Sequence, residues 1–273
     1  MLATLERSQA SGWLGRLELT LGPRAGRTRV LDQRHQGPLT LQRAFHPELD
    51  GTAHVVLLHP PGGIVGGDRL QLEMAVRPAA RALVTTPGAT KVYRSNGLAT
   101  YSDATLGVAD RAFLEYVPQE TVVFDGAQAR LTTEIHLHQD ARALAWEVVC
   151  FGRPAAKSRF ERGRLALRFD VRRDGTLIFS ERGIVDGSGA FAAGRWGLGG
   201  ASALGTLVAT DGDLTAVRTA LANHGAATRI GELLVVRALG RDGLEVRRIL
   251  ERARHCVRAA WERPLTDPAI WRT

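Results

Sequence analysis

The stretch HPPGGIVGGDRL at 59–70 sets four glycines and an aspartate between two runs of alternating apolar residues. Bare glycine backbone can bring N–H groups close to an anion, so phosphate binding is the first chemistry to test. The stretch fails that test. There is no Gly-Lys-Ser/Thr ending, the glycines do not fit GxGxxG, and the residues after Asp68 alternate like a strand instead of opening a helix. The physical reading is a turn in which Gly62, Gly63, Gly66 and Gly67 supply positive φ and close packing, with Pro60 and Pro61 stiffening the entry. Asp68 then accepts backbone hydrogen bonds that shape the turn.

A second cluster, TTPGATKVYRSNG at 85–97, holds Thr85, Thr86, Lys91, Tyr93 and Arg94, the makings of a nucleophile, a base and an anion clamp. A threonine nucleophile needs a free N-terminus or an adjacent base, and the sequence shows neither. Lys91 is one of only two lysines in a chain that otherwise uses arginine, which suits either a specific carboxylate partner or plain solvation. Glu134, His136 and His138 alternate, so a strand would put all three on one face. A solvated strand face explains that spacing as well as a metal site, whose coordination they would leave unfilled. His54 and His59 bracket a strand and point to opposite faces. No GxSxG, HExxH or Cys/His constellation commits the chain to catalysis.

The elements that must carry these residues are mostly strands. From Leu17 to about Phe179 short alternating runs are punctuated by Gly, Pro, Asn and Asp, as in RLELTL at 16–21, HVVLLH at 54–59, RLQLEMAV at 69–76 and EIHLHQ at 134–139. Arg81-Ala82-Leu83, Arg111-Ala112-Phe113 and Arg142-Ala143-Leu144 recur at spacings of 30 and 31 residues. That period fits strand pairs stacked as in a β-helix; chance in an Ala/Arg-rich chain is the alternative. LALRFDVRRDGTLIFSE at 165–181 reads as a hairpin about Asp174-Gly175. The glycine-rich stretch 183–205 reads as a mobile connection. Beyond it come a helix capped by Asp211 or Asp213 and running to His224, a strand at 231–239, and a helix from Leu244 to Glu262 with Val246, Ile249, Leu250, Ala253, Val257 and Trp261 in one stripe. The expectation is one mainly β domain: a β-helix-like body at 1–182, the connection at 183–210 and a small α/β part at 211–273.

At 273 residues, 44% hydrophobic and 23% charged, the chain has ordinary globular composition, and no run approaches the roughly 18 uncharged apolar residues of a membrane span. A soluble cytoplasmic protein is expected. Cys150 and Cys256 stand far apart in no CxxC pattern and suggest neither a disulfide framework nor a thiolate metal site. The net charge of +8 is spread along the chain as arginine, and its densest cluster, at 247–258, has no interleaved aromatics for stacking on bases. No nucleic-acid or membrane partner is expected.

Four blocks, HPPGGIVGGDRL at 59–70, TTPGATKVYRSNG at 85–97, LEYVPQETVVFDGA at 114–127 and WEVVCFGRPAA at 146–156, stand in the order seen in the urease accessory protein UreD family, which the chain resembles over its first two thirds. Val92 stands where that family often has Phe, Tyr116 where it often has Trp, and Lys157-Ser158 where a Gly-Glu pair is usual. The resemblance implies a non-enzymatic assembly factor. It would bind a UreF-like helical protein and, through it, a UreG-like GTPase, dock on apo-urease, and offer an internal passage for nickel. Nickel in transit would meet oxygen and imidazole contacts, with no cofactor tightly bound. The carboxylates inside the matched blocks, Asp68, Glu115, Glu120, Asp125 and Glu147, are the candidate contacts, each with an arginine ion pair as its alternative. A small-molecule enzyme using the 60–68 loop and a basic nucleic-acid module are the competing readings.

Overall fold

A computed structural model describes residues 12–187 and 189–272. A hairpin of β1 (Leu14–Arg24) and β2 (Arg27–Gln36) is followed by β3 (Thr40–Leu41) and β4 (Ala53–Leu58). The chain then winds in coils: β5 (Arg69–Val76), β6 (Arg81–Thr85) and β7 (Thr90–Val92); β8 (Thr100–Val108), β9 (Phe113–Tyr116) and β10 (Thr121–Val123); β11 (Gln128–Leu137) and the long β12 (Arg142–Phe151). Equivalent strands stack in parallel: β5 on β8 on β11, β6 on β9 on β12, and β7 on β10. Each coil exposes apolar edges that only the next coil can cover, so the body is a β-solenoid. The 30-residue repeat is the coil period. Its middle copy is out of step, because Arg81 and Arg142 both align with Phe113, two residues past Arg111.

The hairpin of β13 (Arg164–Arg173) and β14 (Thr176–Asp186) ends the seven-stranded sheet, and both Asp174 (φ 46°) and Gly175 (φ 81°) take the left-handed conformation of the tight turn expected there. The facing ten-stranded sheet is extended by antiparallel β15 (Ala203–Thr210), β17 (Leu233–Gly240) and β16 (Ala226–Ile230). The glycine-rich stretch departs from the expected mobile connection. Its start completes β14, α1 (Ala190–Ala193) follows, and its end begins β15. Leu198 is buried there against Phe191 and Ala192, so sparse apolar residues suffice because they find a preformed core.

Helix α2 (Leu214–Leu221) starts on the Asp213 carboxylate, which accepts from the N–H groups of Thr215 and Ala216. It stops short of the expected His224 because Ala222 turns to φ 51°. Helix α3 (Gly243–Ala260), capped by Asp242, lays the expected stripe against the outer face of the ten-stranded sheet. Strand parity therefore sorts that sheet's residues. Trp146, Val148 and Cys150 of β12 face the helices, whereas Ala145 and Val149 face the other sheet.

Candidate functional site

The two glycine-rich motifs form one corner. Ile64 pairs with Val92 in parallel register: its N–H donates to the Lys91 carbonyl (2.8 Å) and its carbonyl accepts from Tyr93 N–H (2.9 Å). A Cβ at Gly63 would come within 2.4 Å of the Tyr93 ring, and one at Gly66 within 2.3 Å of Asn96 Oδ1, so close approach explains these glycines. Gly62 and Gly67 have positive φ. Asp68, largely buried, closes the turn by accepting from Val65 N–H and Trp13 N–H, both at 2.9 Å. Thr85 is buried, donating to the Val117 carbonyl and accepting from the Trp271 indole. Thr86 accepts from Gln119 N–H and donates to the Gly88 carbonyl, tying 86–88 to 119. Lys91 and Arg94 are exposed, and Tyr93 packs edge-on against Phe124.

The five block carboxylates do not converge. Asp125 is gripped at the surface by Arg162, whose side chain bonds hold its carboxyl below the usual range. Glu120 lies 3.8 Å from Arg247, with its Oε2 buried and not hydrogen-bonded. Glu115 is fully buried between Arg254 and Arg258 of α3, and Arg258 also reaches Glu48 (2.6 Å). Asp68 is in the corner turn. Among the described residues no group of three or more His, Cys, Asp or Glu side chains is placed to hold a metal ion: Glu134 bonds Arg172 and lies 3.5 Å from His136, while His138 turns away to Asp174.

Glu147 differs in facing the space between the sheets. A cavity of about 310 Å³ is lined by residues of loops 86–90 and 118–121 and by His59, Ser102, Tyr116, Thr133 and Glu147, among others. Glu147 is half-buried and lines this cavity. Burial pushes its carboxyl up to about 7, against the pull of a hydrogen bond from Thr133, and Glu181 adds to the rise. Burial, and then Glu147, raises the Tyr116 phenol, which stays protonated.

Register extends this polar patch into a row. Glu147 pairs with Thr206, which pairs with Arg237; on the facing sheet Ala104 aligns with Thr133, Phe169 and Glu181. Thr206 shares the inward parity of Val208 and Leu204, and Arg237 that of Leu233 and Val235. On the ten-stranded sheet a polar line, Glu147, Thr206 and Arg237, therefore runs from the cavity to the Arg237–Glu181 pair (2.8 Å), while the facing sheet sets the buried Phe169 between Thr133 and Glu181. The motif blocks supplied only Glu147 of this row, and Tyr116, opposite Ala145, of the cavity beside it. The missed signal was the same at each other position: a polar residue at inward parity in an otherwise apolar strand.

The family model for UreD urease accessory protein matches residues 14–272. Proteins named urease accessory protein UreD are similar along their length: one from Marinobacter nauticus is 41% identical, covering 96% of this chain and 93% of that protein. Another from Citrobacter koseri is 38% identical (96% and 92%), and one from Methylobacillus flagellatus 37% (96% and 95%). The match continues through the C-terminal third, where the helices and β15–β17 complete the sandwich, and on that extent the chain belongs to the UreD urease accessory protein family.

Proposed function

We propose that this chain is a non-catalytic factor in urease maturation, acting in the cytoplasm with a UreF-like helical protein and a UreG-like GTPase on apo-urease. Nickel, the cargo, crosses its interior along the polar row. The observation that carries this reading is the row itself: oxygen donors of Glu147, Thr133 and Thr206 at one level of an apolar interior, with Tyr116, opposite Ala145, lining the same cavity. Such donors bind and release a hydrated borderline cation, while a thiolate would retain it. Cys150 belongs to the helix-side core and is not part of the row. Ionising Glu147 costs free energy in the empty interior, and a dication beside it offsets that cost, so entry of the ion displaces a proton from the carboxyl. Asp68, with both oxygens taken by backbone N–H groups, serves the turn.

The energy for transfer belongs to the GTPase. Deleting this protein in its source cells leaves urease polypeptide present but nickel-poor, measured as metal per active site of purified urease. Full nickel occupancy in the deletion strain overturns the function.

A further inference from the structure

The polar row reaches solvent at the far side of the sandwich, where one cross-sheet ion pair stands in its way. Arg237, on β17, bonds Glu181, on β14 of the facing sheet, Nε to Oε1 at 2.8 Å, with side chains 44% and 29% exposed. Thr206 lies between Arg237 and Glu147 in register, which places Arg237 two strand spacings, roughly 10 Å, from Glu147.

We propose that the Arg237–Glu181 pair is an electrostatic gate closing the outer end of the row to divalent cations, a proposal that rests on the passage reading above. With the pair formed, a fixed positive charge faces any cation on the row, and the Glu181 carboxylate is committed to the guanidinium. When Arg237 swings into solvent, the charge leaves and Glu181 becomes the next oxygen donor after Thr206.

A neighbouring pair shows why Arg237 is the movable one. Arg173 and Glu232 also join the sheets at 2.8 Å, but the Arg173 guanidinium donates in addition to the carbonyls of His138, Gln139 and Ala141, which fix it as a staple. Arg237 makes no side-chain hydrogen bond besides that to Glu181 among the described residues. A half-exposed single pair of this kind contributes little to stability and opens at small cost. Arginine is also out of place at this parity, following the buried Leu233 and Val235.

The test is the rate of nickel loading into apo-urease by the complete accessory complex under limiting Ni²⁺, read as metal per urease after chelator quench. Arg237→Gln is expected to load on the order of tenfold faster, the low end of what a lining charge does to ion entry. Arg237→Lys keeps the charge and stays near wild type. The advantage of Arg237→Gln should shrink as salt screens the wild-type charge. Glu181→Gln leaves the guanidinium uncompensated and loads more slowly. Glu147→Gln, inside the row, also slows loading. Wild-type or slower loading by Arg237→Gln, with Glu147→Gln slowed, overturns the gate and leaves the passage standing. Wild-type loading by Glu147→Gln overturns the passage and the gate with it. If Arg237→Gln fails to fold or to join the complex, Glu181→Gln decides, and wild-type loading by that variant overturns the gate.

Discussion

Arg258, near the end of α3, and Glu115, in β9, meet as a fully buried ion pair across 143 residues of sequence. Around them Arg258 also holds Glu48, Arg254 holds Glu115 and Asp267, and Arg263 holds Glu48 and Asp50, so the C-terminal helix and tail are locked to the solenoid. Removing one member strands a buried charge. Glu115→Ala is expected to destabilise by about 3–5 kcal/mol in denaturant titration, while an apolar replacement of Glu115, Arg254 and Arg258 together costs less than that single change. Near-wild-type stability of Glu115→Ala would contradict the latch.

Asp68→Asn removes one carboxylate oxygen from a turn in which both accept backbone N–H bonds. One N–H then faces an amide NH₂, and a loss of about 1–3 kcal/mol follows. Nickel loading by the folded fraction is expected at the wild-type rate. A loading defect without a stability defect would restore Asp68 as a cation contact.

Two carboxyls give stability opposite pH slopes. Burial works against ionising Glu48, but bonds from His54 and Arg258 outweigh it and hold its carboxyl below 4.5. Its contribution is present above the unfolded value of 4.5 and is lost as pH falls through the folded one. Glu147, raised from 4.5 to about 7, does the reverse: it favours the fold fully below 4.5 and loses that contribution as pH rises through 7. Glu147→Gln should therefore gain stability relative to wild type on going from pH 5 to pH 8, by at most about 2 kcal/mol because the half-buried site is screened by solvent. Paired melts at the two pH values measure this, and a parallel shift at both would contradict the raised value.

Trp271 stacks on Trp146 with ring centres 5.7 Å apart and donates its indole N–H to Thr85 Oγ (2.9 Å). Trp271→Ala is expected to cost about 2 kcal/mol, less than for a fully buried tryptophan. Near-ultraviolet circular dichroism should lose the coupled indole signal. An unchanged spectrum would place the tail elsewhere in solution.

The sequence by itself determined the β-solenoid, the hairpin at Asp174-Gly175, both C-terminal helices and the family, because alternation, turn residues, caps and motif blocks are local signals. It also marked the two glycine-rich loops, although not that they form one corner, since the Ile64–Val92 pairing depends on coil stacking. The interior row was out of its reach. Glu147, Thr206, Arg237 and Glu181 lie on four strands, and only the register of β12, β15 and β17 and the facing of β14 put them at one level. Arg254 and Arg258 belong to the densest basic cluster of the sequence, at 247–258, yet both are fully buried. Helical periodicity puts them beside the apolar stripe, but their burial was decided by Glu48, Glu115 and Asp267, distant carboxylates whose charge makes an interior guanidinium tolerable.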